Sequence, residues 1–154
     1  MISTTLLLGL GGIAGTLIGS ATPLLIERQK RAREESRAED DARRESRQAA
    51  RIVGTEIQDA ISALSTAVDS GSFWEPENAP SRAAWLDHLP RLACDLTDDE
   101  YKAVSFAYDR LKREIALSRS EEHGPVEIYR DSLKATQEAL QSAKVALARL
   151  AAMD

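Results

Sequence analysis

The sequence predicts an all-α protein: an N-terminal transmembrane helix, a charged helical stalk and an antiparallel three- to four-helix bundle. Three observations predict it. Residues 2–26 carry no charged side chain, whereas residues 27–47 hold fifteen in twenty-one positions. From Ala50 onward, apolar residues recur at spacings of three and four, the period of one helix face. No run alternates apolar and polar residues as a half-buried strand would. The expected division is therefore 1–26 for the anchor, 27–49 for the stalk and 50–154 for the bundle.

The anchor reads ISTTLLLGLGGIAGTLIGSATPLLI from Ile2 to Ile26. At about 1.5 Å per residue it reaches about 37 Å, longer than a hydrocarbon core of about 30 Å. Seven leucines and four isoleucines favour insertion, and six Ser/Thr and five glycines offset part of that. A cleaved leader is the competing reading, because Gly19-Ser20-Ala21 has the small-x-small form of a cleavage site. Against it, Met1 to Thr5 hold no basic residue and Leu24 to Ile26 continue the apolar run. Arg28, Lys30, Arg31 and Arg33 follow the span, so the positive-inside rule places the amino terminus outside the cell membrane and the carboxyl portion in the cytoplasm. The same four residues are candidate contacts to anionic lipid head groups. Gly11, Gly12, Gly15 and Gly19 share one helix face and form a candidate self-association surface in lipid. Pro23 predicts a kink near the inner end.

The stalk lacks Gly, Pro and large aliphatic residues. Glu27–Arg31, Glu39–Arg43 and Asp40–Arg44 are acid-first i,i+4 pairs, each worth about 0.2–0.5 kcal/mol. Residues 27–51 hold nine basic and seven acidic side chains, net +2, and residues 52–154 hold eleven and eighteen, net −7. Acids interleave with the basic residues and no aromatic side chain is present there to stack bases. With a net charge of −5 for the chain, nucleic acid is not an expected partner.

In the bundle, Ala50, Val53, Ile57, Ala60, Leu64 and Ala67 mark the core face of the first helix, which Gly71 ends as a C′ residue. Stalk and first bundle helix read as one continuous helix. Residues 70–81 form a loop punctuated by Pro76 and Pro80. A short helix follows over Ala83 to Leu96, with Ser81 as its cap and a break or new turn at Pro90. Thr97-Asp98-Asp99-Glu100 is a capping box, and Tyr101, Val104, Tyr108, Leu111 and Ile115 continue from it. After a turn over Arg119 to Gly124, Pro125 suits the first position of the last helix. There, Val126, Tyr129, Leu133, Thr136, Leu140, Ala143, Leu147 and Leu150 keep an a/d pattern. That stripe packs within the chain or, alternatively, against a second copy.

Chemistry-bearing patterns are absent. The two histidines, His88 and His123, lack the Glu-x-x-His spacing of bundle metal sites, since Trp85 and Ser120 stand three residues before them. No P-loop, Gly-x-Ser-x-Gly or dinucleotide fingerprint occurs in the polar part. Cys94 reads as a small core hydrophobe, and as the single cysteine it forms no internal disulfide. No metal, cofactor or catalytic group is expected. Phe73, Trp74, Trp85 and Phe106 are the candidate partner- or pocket-forming aromatics. Phe106 falls off the 101/104/108/111 stripe and is either exposed or packed on the short helix.

Phe73-Trp74, Trp85-Leu86-Asp87-His88-Leu89, Asp99-Glu100-Tyr101 and Ala107-Tyr108, behind a glycine-rich span and an Arg/Glu-rich helix, resemble a loose group of uncharacterised bacterial single-span, membrane-anchored helical proteins. The resemblance covers most of residues 1–118 and implies no activity. The expected function is a non-enzymatic, membrane-tethered interaction or scaffold protein. Its expected partners are membrane lipid, a further protein and a second copy of the chain. The alternative is a small membrane-active protein of holin or toxin type that oligomerises through the glycine face.

Overall fold

A computed structural model describes residues 5–119 and 126–152, with the side chains of residues 5–25 and 76 outside the description. Helix α1 runs over Thr5–Ser70, a 3₁₀ turn over Pro76–Asn78, α2 over Ala83–Asp95, α3 over Asp98–Ser118 and α4 over Val126–Ala151. No strand occurs among the described residues. The chain divides into two compact units, Met1–Arg43 and Arg44–Asp154.

In the first unit, residues 26–41 are exposed throughout. Glu27 and Arg31 pair at 3.3 Å and Lys30 and Glu34 at 3.9 Å, both one helical turn apart. The expected span, its glycine face of Gly11, Gly12, Gly15 and Gly19, and the kink at Pro23 lie outside the described side chains. Among the described residues, no helix is long and apolar enough to cross a membrane.

The second unit is four helices around one core. Its α1 portion buries Ala49, Ala50, Val53, Ile57, Ala60, Leu64 and Ala67. Ser46 is buried with them, so packing starts one turn ahead of Ala50. Gly71 ends the helix at φ +69°, its N–H donating to the Ala67 carbonyl at 3.1 Å, as an αL cap requires. Val104, Ala107, Tyr108 and Leu111 of α3 face Leu133, Leu140, Ala143 and Leu147 of α4 within the same core. Thr136 and Leu150 of the α4 stripe are buried as well, and Tyr129 is half-buried. The stripe is therefore covered within a single chain. Helix pairs run antiparallel: Ser46 and Glu56 of α1 bond Asp95 and Ala84 of α2, and Glu100 and Glu114 of α3 bond Arg149 and Ser132 of α4.

Two local expectations are corrected. Pro90 does not break α2, which continues through it to Asp95. A proline there removes the hydrogen bond to the carbonyl of Leu86, and Leu86 sits on the exposed face. Trp85 and Leu92, on either side, are buried and hold the helix in place. Cys94 is exposed rather than in the core. Leu92 and Leu96 take the core positions of that turn, and the Cys94 thiol donates to the Pro90 carbonyl at 3.5 Å. The turn expected over Arg119 to Gly124 and the start at Pro125 lie outside the described residues, apart from Arg119.

Candidate functional site

Glu56 lies on the α1 face that also carries Val53, Ala60 and Leu64, and it points a carboxylate toward the start of α2. The backbone N–H groups of Ala84 and Trp85 donate to it at 2.9 and 3.2 Å, and the Tyr108 hydroxyl donates at 2.8 Å. Helix N-termini leave their first N–H groups unpaired, and an anion there also meets the positive end of the helix dipole. Arg82 stands at the N-cap with no side-chain cap bond, while Ser81 Oγ accepts from Ala83 N at 3.1 Å. Glu56 thus supplies from another helix most of the cap that Ser81 was expected to provide. Burial first, and then the hydrogen bond and charge of Glu56, push the Tyr108 phenol well above its ordinary 10.0. The Tyr108 ring lies flat against Trp85, centroids 5.3 Å apart and planes 6° apart, and Tyr101 lies at 6.1 Å on the same indole.

Along the α1–α2 seam, two hollows share Ile52. One, about 330 Å³, is lined by Glu45, Gln48, Ala49, Ile52, His88 and Arg91. The other, about 410 Å³, is lined by Ile52, Thr55, Glu56, Asp59, Ser81 and Ala84. Arg91 Nε donates to the buried Ser46 hydroxyl at 2.9 Å, its guanidinium lies 3.6 Å from Glu45, and Ser46 donates in turn to Asp95. This network ties the last turn of α2 to α1. His88 is half-buried beside it. Glu45 sets a negative charge against Arg91 within the hollow, so its lining carries no net positive field for an anion.

A second polar seam joins α3 and α4. Glu114 is only 2% exposed. Its Oε1 accepts from Ser132 Oγ at 2.6 Å and from Thr136 Oγ1 at 3.1 Å. Arg110 donates to Thr136 Oγ1 at 3.2 Å and to the Ser132 carbonyl at 3.4 Å. At the other end of α3, Thr97 and Glu100 complete the capping box, and Arg149 of α4 grips the same carboxylate, one contact at 2.6 Å. That hydrogen bond is the main reason the Glu100 carboxyl is held down to about 2.

The four predicted aromatics do not converge. Phe73 and Trp74 meet edge to face at 5.9 Å, and Phe73 reaches Tyr129 at 5.8 Å. Trp85 is a core residue, 5% exposed, stacked on Tyr108 with Tyr101 tilted against it. Phe106 is 56% exposed, with the Arg110 guanidinium 5.7 Å from its ring. Arg28, Lys30, Arg31 and Arg33 are exposed on α1. Among the described residues, no three His, Cys, Asp or Glu side chains group as metal ligands. The polar groups that do organise the unit, Glu56, Ser46 and Glu114, were not singled out from the sequence. Each interrupts an apolar helical stripe: 46 precedes 49/53, 56 lies between 53 and 60, and 114 follows 107/111. A polar residue on a core face is the signal that marks them.

Comparison of the chain with protein families, characterised proteins and solved structures returns no match.

Proposed function

We propose that this chain is a non-enzymatic, membrane-tethered helical protein that offers its four-helix unit as an interaction surface on the cytoplasmic side. One observation carries the reading: the order of chemistry along the chain. An uncharged stretch from Ile2 to Ile26 precedes Arg28, Lys30, Arg31 and Arg33, and behind them stands a unit with its own core. The uncharged stretch spans the bilayer once with the amino terminus outside. The basic residues meet anionic head groups. Gly11, Gly12, Gly15 and Gly19 bring two spans together. The polar side chains of the helical unit support the non-enzymatic reading because they are committed to joining helices: Glu56 caps α2, Ser46 binds Asp95, and Glu114 binds α4.

The test is crosslinking of the full chain in native membranes, with and without detergent, followed by identification of the linked species. A second copy or a defined protein partner is expected, with the self-crosslink lost in Gly15→Leu. A chain that links to nothing in either condition overturns the proposal. Leakage or growth arrest on induced expression overturns it in favour of a membrane-active protein.

A further inference from the structure

Among the described residues, two buried side-chain atoms have no hydrogen-bond partner, Trp74 Nε1 and Glu114 Oε2. They are chemically complementary. An indole N–H is a donor only, and a carboxylate oxygen is an acceptor. Native interiors leave few such groups unpaired, because each has given up its water.

Both belong to the same end of the helical unit. Glu114 is fixed by its other oxygen to Ser132 at 2.6 Å and Thr136 at 3.1 Å. Phe73, which Trp74 abuts, lies against Tyr129 at 5.8 Å. Tyr129 and Ser132 are three residues apart, neighbours on one side of α4. Just before the two aromatics, a Cβ built on Gly71 would stand 3.3 Å from Glu127 Oε1 in the first turn of α4. The short segment that follows α1 thus meets the opening turns of α4, whose Ser132 and Thr136 bind Glu114 of α3.

We propose that one water molecule accepts from the Trp74 N–H and donates to Glu114 Oε2, and that this bridge latches residues 71–75 as a strap over the α3–α4 polar seam. When the strap lifts, Phe73 and Trp74 become available to solvent together, and the carboxylate beneath them is uncovered. The half-buried aromatic pair is then a surface that the latch turns on and off. This inference concerns the helical unit alone and does not rest on the membrane tether.

The chain has two tryptophans, so an indole-¹⁵N-labelled full-length sample gives two side-chain N–H resonances. Trp74→Phe assigns them. In the wild-type chain the Trp74 indole proton should exchange with solvent at least about tenfold more slowly than a free indole, as a buried, hydrogen-bonded N–H does. In Glu114→Gln that resonance should shift and its exchange accelerate, while the Trp85 resonance holds its position. In that variant the remaining oxygen is held by Ser132 and Thr136, so the amide N–H₂ faces the bridging water. A Trp74 proton that exchanges at the free rate in the wild-type chain, or one unmoved in Glu114→Gln, overturns the latch. The wild-type exchange rate needs no variant, so the test stands even where Glu114→Gln fails to fold.

Discussion

Glu56 joins three helices through one carboxylate, and its contribution is open to direct measurement. Glu56→Ala should lower the unfolding free energy by about 2–3 kcal/mol, because two helix-end N–H groups and a buried phenol lose their acceptor together. Thr55→Ala, on the exposed neighbouring position, should change it by less than about 0.5 kcal/mol; urea unfolding compares the two. Ionisation supplies a second measurement. Glu100 is held near 2 by Arg149, below its ordinary 4.5. The folded state therefore binds the proton more weakly than the unfolded state. The stabilisation is fully present above about 4.5 and is lost as pH falls toward 2. Arg149→Met should flatten that acid limb in urea midpoints taken across the range. Tyr108 runs the other way: its raised value means stability present below 10 is lost above it, and Tyr108→Phe should remove that alkaline loss. At this scale the sequence was only partly legible. The Thr97–Glu100 box is local and could be read from spacing alone. Glu56 bonds residues twenty-eight and twenty-nine positions away, and nothing in its own neighbourhood names them.

Helices were the most legible level, because a period of 3.6 residues is a local property of the chain. Core positions from Ala50 to Ala67 and from Val126 to Leu150 followed from that period, and the αL end at Gly71 from its residue type. Pro90 shows where local reasoning fails. The cost of proline in a helix interior is real, but burial of Trp85 and Leu92 outweighs it. Cys94 fails for a related reason: Leu92 and, just past the end of α2, Leu96 take the core side there, and Cys94 faces out. The two described glycines make an opposed pair of predictions. Gly54 lies inside α1 with nothing within 4 Å of an added Cβ, so Gly54→Ala should stabilise by about 0.5–1 kcal/mol. Gly71 sits at φ +69° with Glu127 Oε1 3.3 Å from that position, so Gly71→Ala should destabilise by about 1 kcal/mol or more. Thermal unfolding of the two variants side by side checks both signs.

For the whole molecule, the sequence separates two regimes of solvent. Residues 44–154 supply their own apolar partners, and their helices bury one another. Residues 2–26 carry no charged side chain and only six Ser/Thr among twenty-five positions, and the proposed tether rests on that contrast. The bundle was legible because its amphipathic stripes imply mutual burial. The partner was not, since a surface of mixed charge and scattered apolar residues such as Leu86, Phe106, Ile128 and Val145 specifies no single ligand. The tether is the claim on which localisation, orientation and self-association all depend. Alkaline carbonate extraction of membranes containing the full chain tests it most directly. The tethered protein is predicted to stay in the membrane pellet and to leave it only with detergent, whereas recovery of the intact chain in the carbonate supernatant would contradict the account.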